Sequence, residues 1–425
     1  MKILKSSPIS AFGGMYFVLE HLNTLNIGNL CNKHLPSMPN QSKYDWKDII
    51  YSFSSIFYCG GDCIEDIGTH LQAHFINNPY FKIPSPDTVL RRFSMLSTEV
   101  QTCRTKRGKV DHMFCVNDTL AHLNLEILKH MGVFRAKEIV LDYDNTILFA
   151  EKKDCKMHYK RDYGYQPGVF TINEDHVLYI ENRNGNSDAK SFQNETIGRL
   201  FQLLEAEQTP RVNHFRADAA SYQYDVVSLL EKNVDYFYIG CRNDYIEKFI
   251  PQVKKWETIK GDIGHLEIGS VEGNIFTGHA DNKCYRIVFK RRLKEDGQLD
   301  LITQDAYEYR AILTNNYDWS AADVASFYNR RGNMERQFDI LKNDFGWNNM
   351  PFSFLNENLV FLYFSAICRN LYNPLIKYFS QKIKGLKACF RIKKFIFRFI
   401  IMPAKWIKQA GQLKLRIYSY HSYFT

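Results

Sequence analysis

From Glu138 onward the chain alternates apolar extended runs with amphipathic segments in an order that few architectures accommodate. The stretch Glu138-Ile-Val-Leu-Asp-Tyr-Asp-Asn-Thr-Ile-Leu-Phe reads as a β-strand carrying acids at its middle. Val169-Phe-Thr-Ile and Val177-Leu-Tyr-Ile-Glu flank Asn173-Glu-Asp-His as a hairpin with a short polar turn. A helix is expected near Phe192 to Glu207, then a strand ending at Arg216-Ala-Asp218, a helix near Tyr222 to Lys232, and the strand Tyr236–Gly240. Strand, strand, strand, helix, strand, helix, strand defines an α/β unit in which a hairpin precedes the crossovers. Further β-type runs, Tyr285-Arg-Ile-Val-Phe-Lys and Tyr309-Arg-Ala-Ile-Leu-Thr, lie between about 243 and 314. Ser320-Ala-Ala-Asp then opens a long helix, with Ser320 as N-cap and Asp323 completing a capping box.

Residues 1 to about 105 have a different texture, with apolar spacings of three and four around Met15, Trp46 and Ser85–Leu96. Pro84-Ser85-Pro86-Asp87 is a helix-start signal, and the short helix it opens presents Arg91 and Arg92. These arginines suit a recognition helix or an ordinary basic surface helix equally well. The basic run Arg104-Thr-Lys-Arg-Gly-Lys109 marks a boundary.

Charge is placed unevenly along the 425 residues. After Glu357 there is no acid, while Arg369 and the residues beyond it contribute thirteen Lys and Arg. Against a total of +9, this leaves about −4 for the rest of the chain. A one-signed tail interleaved with Phe390, Phe395, Phe397, Phe399 and Trp406 suits a polyanion surface, or else a solvated or membrane-surface helix. Ten scattered Cys with no C-x-x-C pair exclude a zinc ribbon and offer no disulfide framework, so reduced thiols in a cytosol are expected. The N-terminus lacks the apolar core of a signal peptide. The run Leu359–Cys368 is about half the ~20 residues a bilayer span needs, so no membrane partner is expected.

Three acids could carry chemistry. Asp142 and Asp144 share one face of an extended strand at its C-terminal edge, and Asp218 ends a second apolar strand in the same way. Hard cations such as Mg²⁺ take carboxylate oxygens converging from separate elements. A single strand-end Asp more often caps a turn. In the helix after Ser320, ~100° per residue puts Tyr328, Arg331, Glu335 and Lys342 on a stripe roughly 60° wide. Met334, Phe338, Leu341 and Phe345 form the adjacent apolar face. The ordinary reading is an amphipathic helix with surface Arg–Glu pairs; the functional one is a metal-binding carboxylate among phosphate-contacting groups.

Tyr328, Arg331, Glu335 and Lys342 reproduce the Y-(2)-R-(3)-E-(6)-K signature of DDE transposases of bacterial insertion sequences. Asp144-Asn-Thr146 resembles their first D-x-T segment and Phe215-Arg-Ala-Asp218 their second acidic strand. Tyr163-Gly-Tyr-Gln-Pro167, Asn182-Arg-Asn-Gly-Asn186, Thr314-Asn-Asn, Tyr328-Asn-Arg-Arg-Gly332 and Ser10-Ala-Phe-Gly-Gly14 extend the similarity over most of the chain. It is nearest to the IS-thirteen-eighty branch of the IS-four superfamily.

The resemblance implies an α/β fold with an RNase H-like catalytic core at residues 106–372, interrupted by a β-rich insertion at about 243–314. A helical N-terminal DNA-binding region (1–105) precedes it and a basic C-terminal segment (373–425) follows. It further implies that Asp144, Asp218 and Glu335 are catalytic and hold two Mg²⁺ or Mn²⁺ ions, with Asp142 as the alternative first acid. Tyr328, Arg331 and Lys342 would contact phosphates, joined by Arg91 and Arg92 in the N-terminal region. The partners would be the terminal inverted repeats and target DNA, bound by a dimer in the active complex of a bacterial cytoplasm. Two other readings compete. Asp142-Tyr-Asp-Asn-Thr146 also fits the D-x-D-x-T motif of haloacid-dehalogenase-type phosphatases, with Asp142 as nucleophile, although Gly261-Asp-Ile-Gly lacks their second acid. A transposase-derived DNA-binding protein without catalysis should have lost an acid, and none is lost; a stand-alone nuclease would use the same triad.

Overall fold

The computed structural model describes residues 8–104, 111–242, 246–259, 266–279, 283–294 and 306–418. The basic run after Arg104 and the Gly261–Gly264 segment therefore lie outside the described residues. The strands, in chain order, begin with β1 (Gln101–Arg104), β2 (Asp111–Cys115), β3 (Val140–Asn145), β4 (Leu148–Phe149), β5 (Lys156–Met157) and β6 (Tyr163–Tyr165). Next come β7 (Gly168–Ile172), β8 (His176–Arg183), β9 (Val212–Ala217) and β10 (Val234–Gly240). The later strands are β11 (Glu257–Ile259), β12 (Leu266–Gly273), β13 (Tyr285–Leu293), β14 (Tyr307–Thr314), β15 (Ala404–Gln409) and β16 (Gln412–Ile417).

Eleven of these strands form one sheet in the order β1-β2-β8-β7-β3-β9-β10-β14-β13-β12-β11. At its centre β3 pairs antiparallel with β7, which pairs antiparallel with β8. On the other side β3 runs parallel to β9, and β9 parallel to β10. The expected hairpin turns at Asn173 and Glu174, whose φ angles of 52° and 67° are the left-handed pair of a tight turn. Helices Gln193–Ala206 and Tyr224–Asn233 provide the crossovers into β9 and β10. Leu141, Tyr143, Phe215 and Ala217 on one face and Asp142 and Arg216 on the other are buried, as the middle of a sheet covered on both faces requires. The strands from β11 to β14 prolong this sheet, because β14 pairs antiparallel with β10 and β13, β12 and β11 follow outward.

Helices dominate residues 13–94, and their apolar faces share one core with the helix Leu355–Lys382. Among the described residues only that helix is long and apolar enough to cross a membrane, and 89% of its apolar window is buried inside the fold. It lies on β8, where the Tyr363 hydroxyl donates to the Ile180 carbonyl (3.0 Å). Its continuity corrects the boundary expected at 372/373: the helix runs through that point because Leu375, Ile376 and Phe379 are still buried.

Two described segments far apart in the chain, Ser10–Gly14 and Phe399–Ala404, meet. Ser10 and Ala404 exchange backbone hydrogen bonds of 2.9 Å, and the Gly13 N–H donates to the Met402 carbonyl at 2.7 Å. A Cβ on Gly14 would lie 2.1 Å from the Phe399 carbonyl oxygen, so only glycine permits this approach. The Ser10–Gly14 motif is thus a seat for the C-terminal segment, whose Ile392, Phe395, Phe399 and Ile400 are buried.

Candidate active site

The acids sit where parallel strands end. Tyr143 faces Ala217 across the β3–β9 ladder, which makes Asp144 and Asp218 the next residues on adjacent strands. Asp218 Oδ1 accepts the Ala220 N–H (2.9 Å) and so caps the short turn Ala219–Ser221. Asp144 Oδ1 accepts the Asn145 N–H (2.8 Å), and its Oδ2 takes Arg331 Nη1 at 3.0 Å. Burial, then the charge of Asp218, pushes the Asp144 carboxyl up to about 6, against the pull of Arg331.

Asp142, two residues earlier on the same strand, has a different environment. It is 1% exposed and gripped by Arg216, with Nε on Oδ1 at 2.6 Å and Nη2 on Oδ2 at 2.7 Å. Arg216 Nη2 also donates to Glu174 Oε1 (2.9 Å), and Glu174 Oε2 accepts from Asn333 Nδ2 (2.9 Å). Asp142 therefore belongs to a buried ionic network that fastens the hairpin turn to the helix after Ser320. A nucleophile must present a free oxygen to its substrate, and β3 lies beside an antiparallel strand, so the phosphatase reading is not favoured.

The signature helix departs from a single cylinder. Ser320 caps Ala321–Asn329 by accepting the Asp323 N–H at 3.1 Å; its hydroxyl also bonds the Asp323 carboxylate at 2.6 Å. Arg330–Gly332 then tighten to a 3-10 turn before Asn333–Asp344 resumes. Gly332 is a poor helix former, and three residues at ~120° instead of ~100° rotate the later positions by about 60°. That shift moves Glu335 and Lys342 past Tyr328 and still leaves the four residues on a face roughly 60° wide. Tyr328 and Arg331 close on the acids; the Tyr328 hydroxyl donates to the Ala217 carbonyl (3.3 Å), and a Cβ on Gly240 would lie 2.6 Å from it. Burial and the charge of Asp218 push the Tyr328 phenol up to about 12, opposed by Arg331. Lys342 donates to the Ile147 carbonyl at 2.8 Å, in the loop just past Asp144.

Glu335 is exposed, and its side chain makes no hydrogen bond or ion pair with a described residue. The three carboxylates are not drawn within 4.8 Å of one another; among the described residues that spacing is met by Asp62, Cys63 and Asp66. There Asp66 Oδ2 is occupied by the backbone N–H groups of Asp62 (3.0 Å) and Cys63 (3.3 Å). Arg92 corrects another expectation. It is 8% exposed and donates to Ser42 Oγ (2.9 Å), so only Arg91 of the pair faces solvent.

Lys290 escaped the sequence reading, and Thr314-Asn-Asn entered it only as part of the resemblance, without a role. Lys290 on β13 donates to Asn329 Oδ1 (2.6 Å) and stands 5.9 Å over the Tyr328 ring, its pKa lowered by burial and then by Arg310. Thr314-Asn-Asn is a staple. Asn315 Oδ1 accepts from the Phe237 N–H (2.9 Å), while Asn316 bonds the Tyr238 hydroxyl (2.9 Å) and accepts the Trp319 N–H (3.0 Å). These bonds aim the chain from β14 into the helix that carries Tyr328. Alternation along Tyr285–Lys290 was a signal for the first; the second was visible as a motif, but its bonds to Phe237 and Tyr238 join distant parts of the chain.

A sheet whose parallel strands end in two adjacent acids, met by an Arg from a later helix, has the donor types that metal-dependent phosphoryl transfer uses. Residues 7–425 match the family described as Transposase DDE domain group 1. The chain belongs to that family and is a DNA transposase with the endonuclease and joining activity this entails. Among curated proteins none matches it in sequence. It is similar to a piggyBac transposase synaptic complex with hairpin DNA, solved by cryo-EM, at 12% identity and a TM-score of 0.43, over 92% of this chain and 80% of that one. A Mos1 transposase paired-end complex with the left transposon end is similar at 11% identity and a TM-score of 0.18, over 47% of this chain and 60% of that one.

Proposed function

We propose that Asp144, Asp218 and Glu335 are the catalytic carboxylates, that the core β8-β7-β3-β9-β10 is RNase H-like, and that the substrate is the pair of inverted ends of an insertion sequence. The observation that carries this is the Asp144–Asp218 pair on adjacent strand ends with Arg331 set against it. Two like charges brought together with a single cation, one carboxyl pushed up to about 6, make a site that gains by binding a divalent ion. The donor set is all oxygen, which fits Mg²⁺ or Mn²⁺ and argues against softer metals. Asp144, Asp218 and Glu335 would hold two such ions, which when bound activate water or a DNA 3′-OH and stabilise the leaving oxygen. Glu335, unpartnered and exposed, is free to swing toward the pair when ion and DNA bring charge to it.

The chain's own groups do the rest. Arg331, planar and forked, would exchange its carboxylate contact for a phosphate, and Lys342 would add a point charge beside the loop after Asp144. Tyr328, held by Ala217 and crowded by Gly240, would orient the backbone at the scissile bond. Residues 1–105 would recognise the end sequence and the tail would grip phosphates without regard to sequence, in a dimer that holds two ends for cut-and-paste transfer. Nearness to the IS-thirteen-eighty branch suggests short inverted repeats flanking the reading frame. The test is cleavage of an end duplex with Mg²⁺, followed by joining of the 3′-OH to a plasmid. Cleavage without joining would leave a nuclease, and Mg²⁺-independent cleavage would end the carboxylate assignment.

A further inference from the structure

A cavity of about 620 Å³ opens between the helix Asn333–Asp344, the long helix and the loop before Ile392. Its floor is Arg369, 5% exposed, whose guanidinium donates to Asn373 and to Gln337 Oε1 (3.1 Å) while Nε has no partner. No carboxylate lies within ion-pair distance of it among the described residues. A buried cation whose carboxylate neighbours, Asp175 and Asp344, stay beyond ion-pair distance is costly, and side-chain amides offset only part of that cost. His176 also lines the cavity with a buried, unpartnered Nδ1. Burial, then Arg369, pushes this imidazole down to about 4, so it stands neutral and can donate a hydrogen bond.

The acids nearby are mostly committed. Glu174 pairs with Arg216 (2.9 Å), and Asp344 with Arg391 (2.8 Å) and Lys393 (3.8 Å), leaving Asp175 exposed at the rim. Arg336 and Lys377 at the mouth are exposed and have no ion-pair partner among the described residues. The cavity is also not isolated. A groove that shares Asp344 and Arg391 with it leads past Lys393 and Lys394, and a second groove continues from there to Lys342. Lys342, Lys393 and Lys394 therefore line a track from the loop beside Asp144 toward Arg369, with Asp62 and Asp344 also on its walls.

We propose that this cavity seats a backbone phosphate of DNA, with Arg369 as buried anchor and Arg336 and Lys377 as its outer contacts. The strand would reach it along the groove from Lys342. The inference rests on the transposase reading and adds to it a second phosphate site, remote from the carboxylates, that braces the catalytic helix through Gln337.

The test is duplex binding by the full chain as a function of salt, followed by fluorescence anisotropy. Arg336→Gln/Lys377→Gln changes only exposed side chains and should fold. It is expected to flatten the log K versus log salt slope by up to about 0.9, the value for one phosphate contact. Arg369→Gln, if its thermal melt stays cooperative, should flatten the slope by the same amount and not add to the double variant, since all three side chains serve one phosphate. A double variant with wild-type slope, measured where the wild type binds and cleaves, overturns the proposal and leaves the transposase reading intact. Loss of duplex binding by the wild type itself would sink that reading instead. Inorganic phosphate at matched ionic strength provides a further arm. If it raises the melting temperature of the wild type and not of Arg369→Gln, while the double variant keeps the wild-type slope, the cavity takes a free anion and the DNA assignment falls.

Discussion

Asp142 and Arg216 are direct partners across the parallel β3–β9 ladder, and their side chains meet there in a two-pronged buried ion pair of 2.6 and 2.7 Å. The pair explains why two acids on one strand face can have different roles. Asp142 is consumed in holding the sheet to the hairpin turn, and Asp144 is left at the strand end beside Asp218.

It follows that Asp142→Ala should fail by unfolding. Removing one partner of a buried pair strands the other charge, at a cost of about 3–5 kcal/mol. Thermal denaturation of Asp142→Ala should show a large drop, and Asp142→Leu/Arg216→Leu should recover part of it. A variant Asp142→Ala that melts like the wild type would return Asp142 to candidacy as the first metal ligand.

The Asp144 carboxyl makes an opposite prediction. Its folded pKa, about 6, lies above the ordinary 3.8, so the folded state holds the proton more tightly. Stability in chelator should then fall as pH rises from about 4 through 6, since the charged form is the disfavoured one. Asp144→Asn should be more stable than wild type at pH 8 in EDTA, by on the order of 1–2 kcal/mol once the lost Arg331 contact is discounted, and the gain should vanish near pH 4. Melting temperatures of both proteins across that range decide it; a gain independent of pH would mean the amide merely packs better.

Glu335 provides the cleanest separation of fold from chemistry. Being exposed and unpartnered, its replacement by Ala should shift stability within about 0.5 kcal/mol. Duplex affinity should hold as well, because it comes from Lys and Arg contacts with phosphate. End cleavage with Mg²⁺ should be abolished, as it should in Asp218→Ala. Near-normal cleavage by a folded Glu335→Ala would remove it from the site.

How far the sequence anticipated this site depends on the range of the contact. The order of strands and helices was legible because apolar periodicity is local, and Asp144 and Asp218 were legible as acids closing apolar strands. The choice between Asp142 and Asp144 was not, because it depends on Arg216, 74 positions away in the chain. The 3-10 turn at Arg330–Gly332 had a local sign in Gly332, yet that Glu335 stays exposed and unpartnered while Arg331 reaches Asp144 needs the observed geometry. Arg92 looked like its neighbour Arg91 and is buried only because Ser42 and the preceding helices close over it. The seating of Phe399–Ala404 on Ser10–Gly14 joins residues nearly the whole chain apart, and no spacing rule reports such a contact.

That seating changes how the basic tail must be tested. Thirteen Lys and Arg follow Glu357, but Arg369 is buried, and Arg391 is held by Asp339 (2.6 Å) and Asp344 (2.8 Å). Truncation from about 380 would strip buried Ile392, Phe395, Phe399 and Ile400 from the core and expose the N-terminal helix, so it should lower stability before it reports on DNA. Lys387 and Lys394 are exposed, and Lys393 makes only a 3.8 Å contact with Asp344. Charge reversal at these three keeps every apolar position. The folded triple variant should bind all duplexes more weakly, flatten the salt slope by about 2–3, and keep its preference for the end sequence. Arg91→Ala should act on that preference instead, because the exposed Arg91 lies in the N-terminal helical region. If charge reversal leaves the slope unchanged in a folded protein, these lysines are a solvated face and the DNA runs along another side of the catalytic helix.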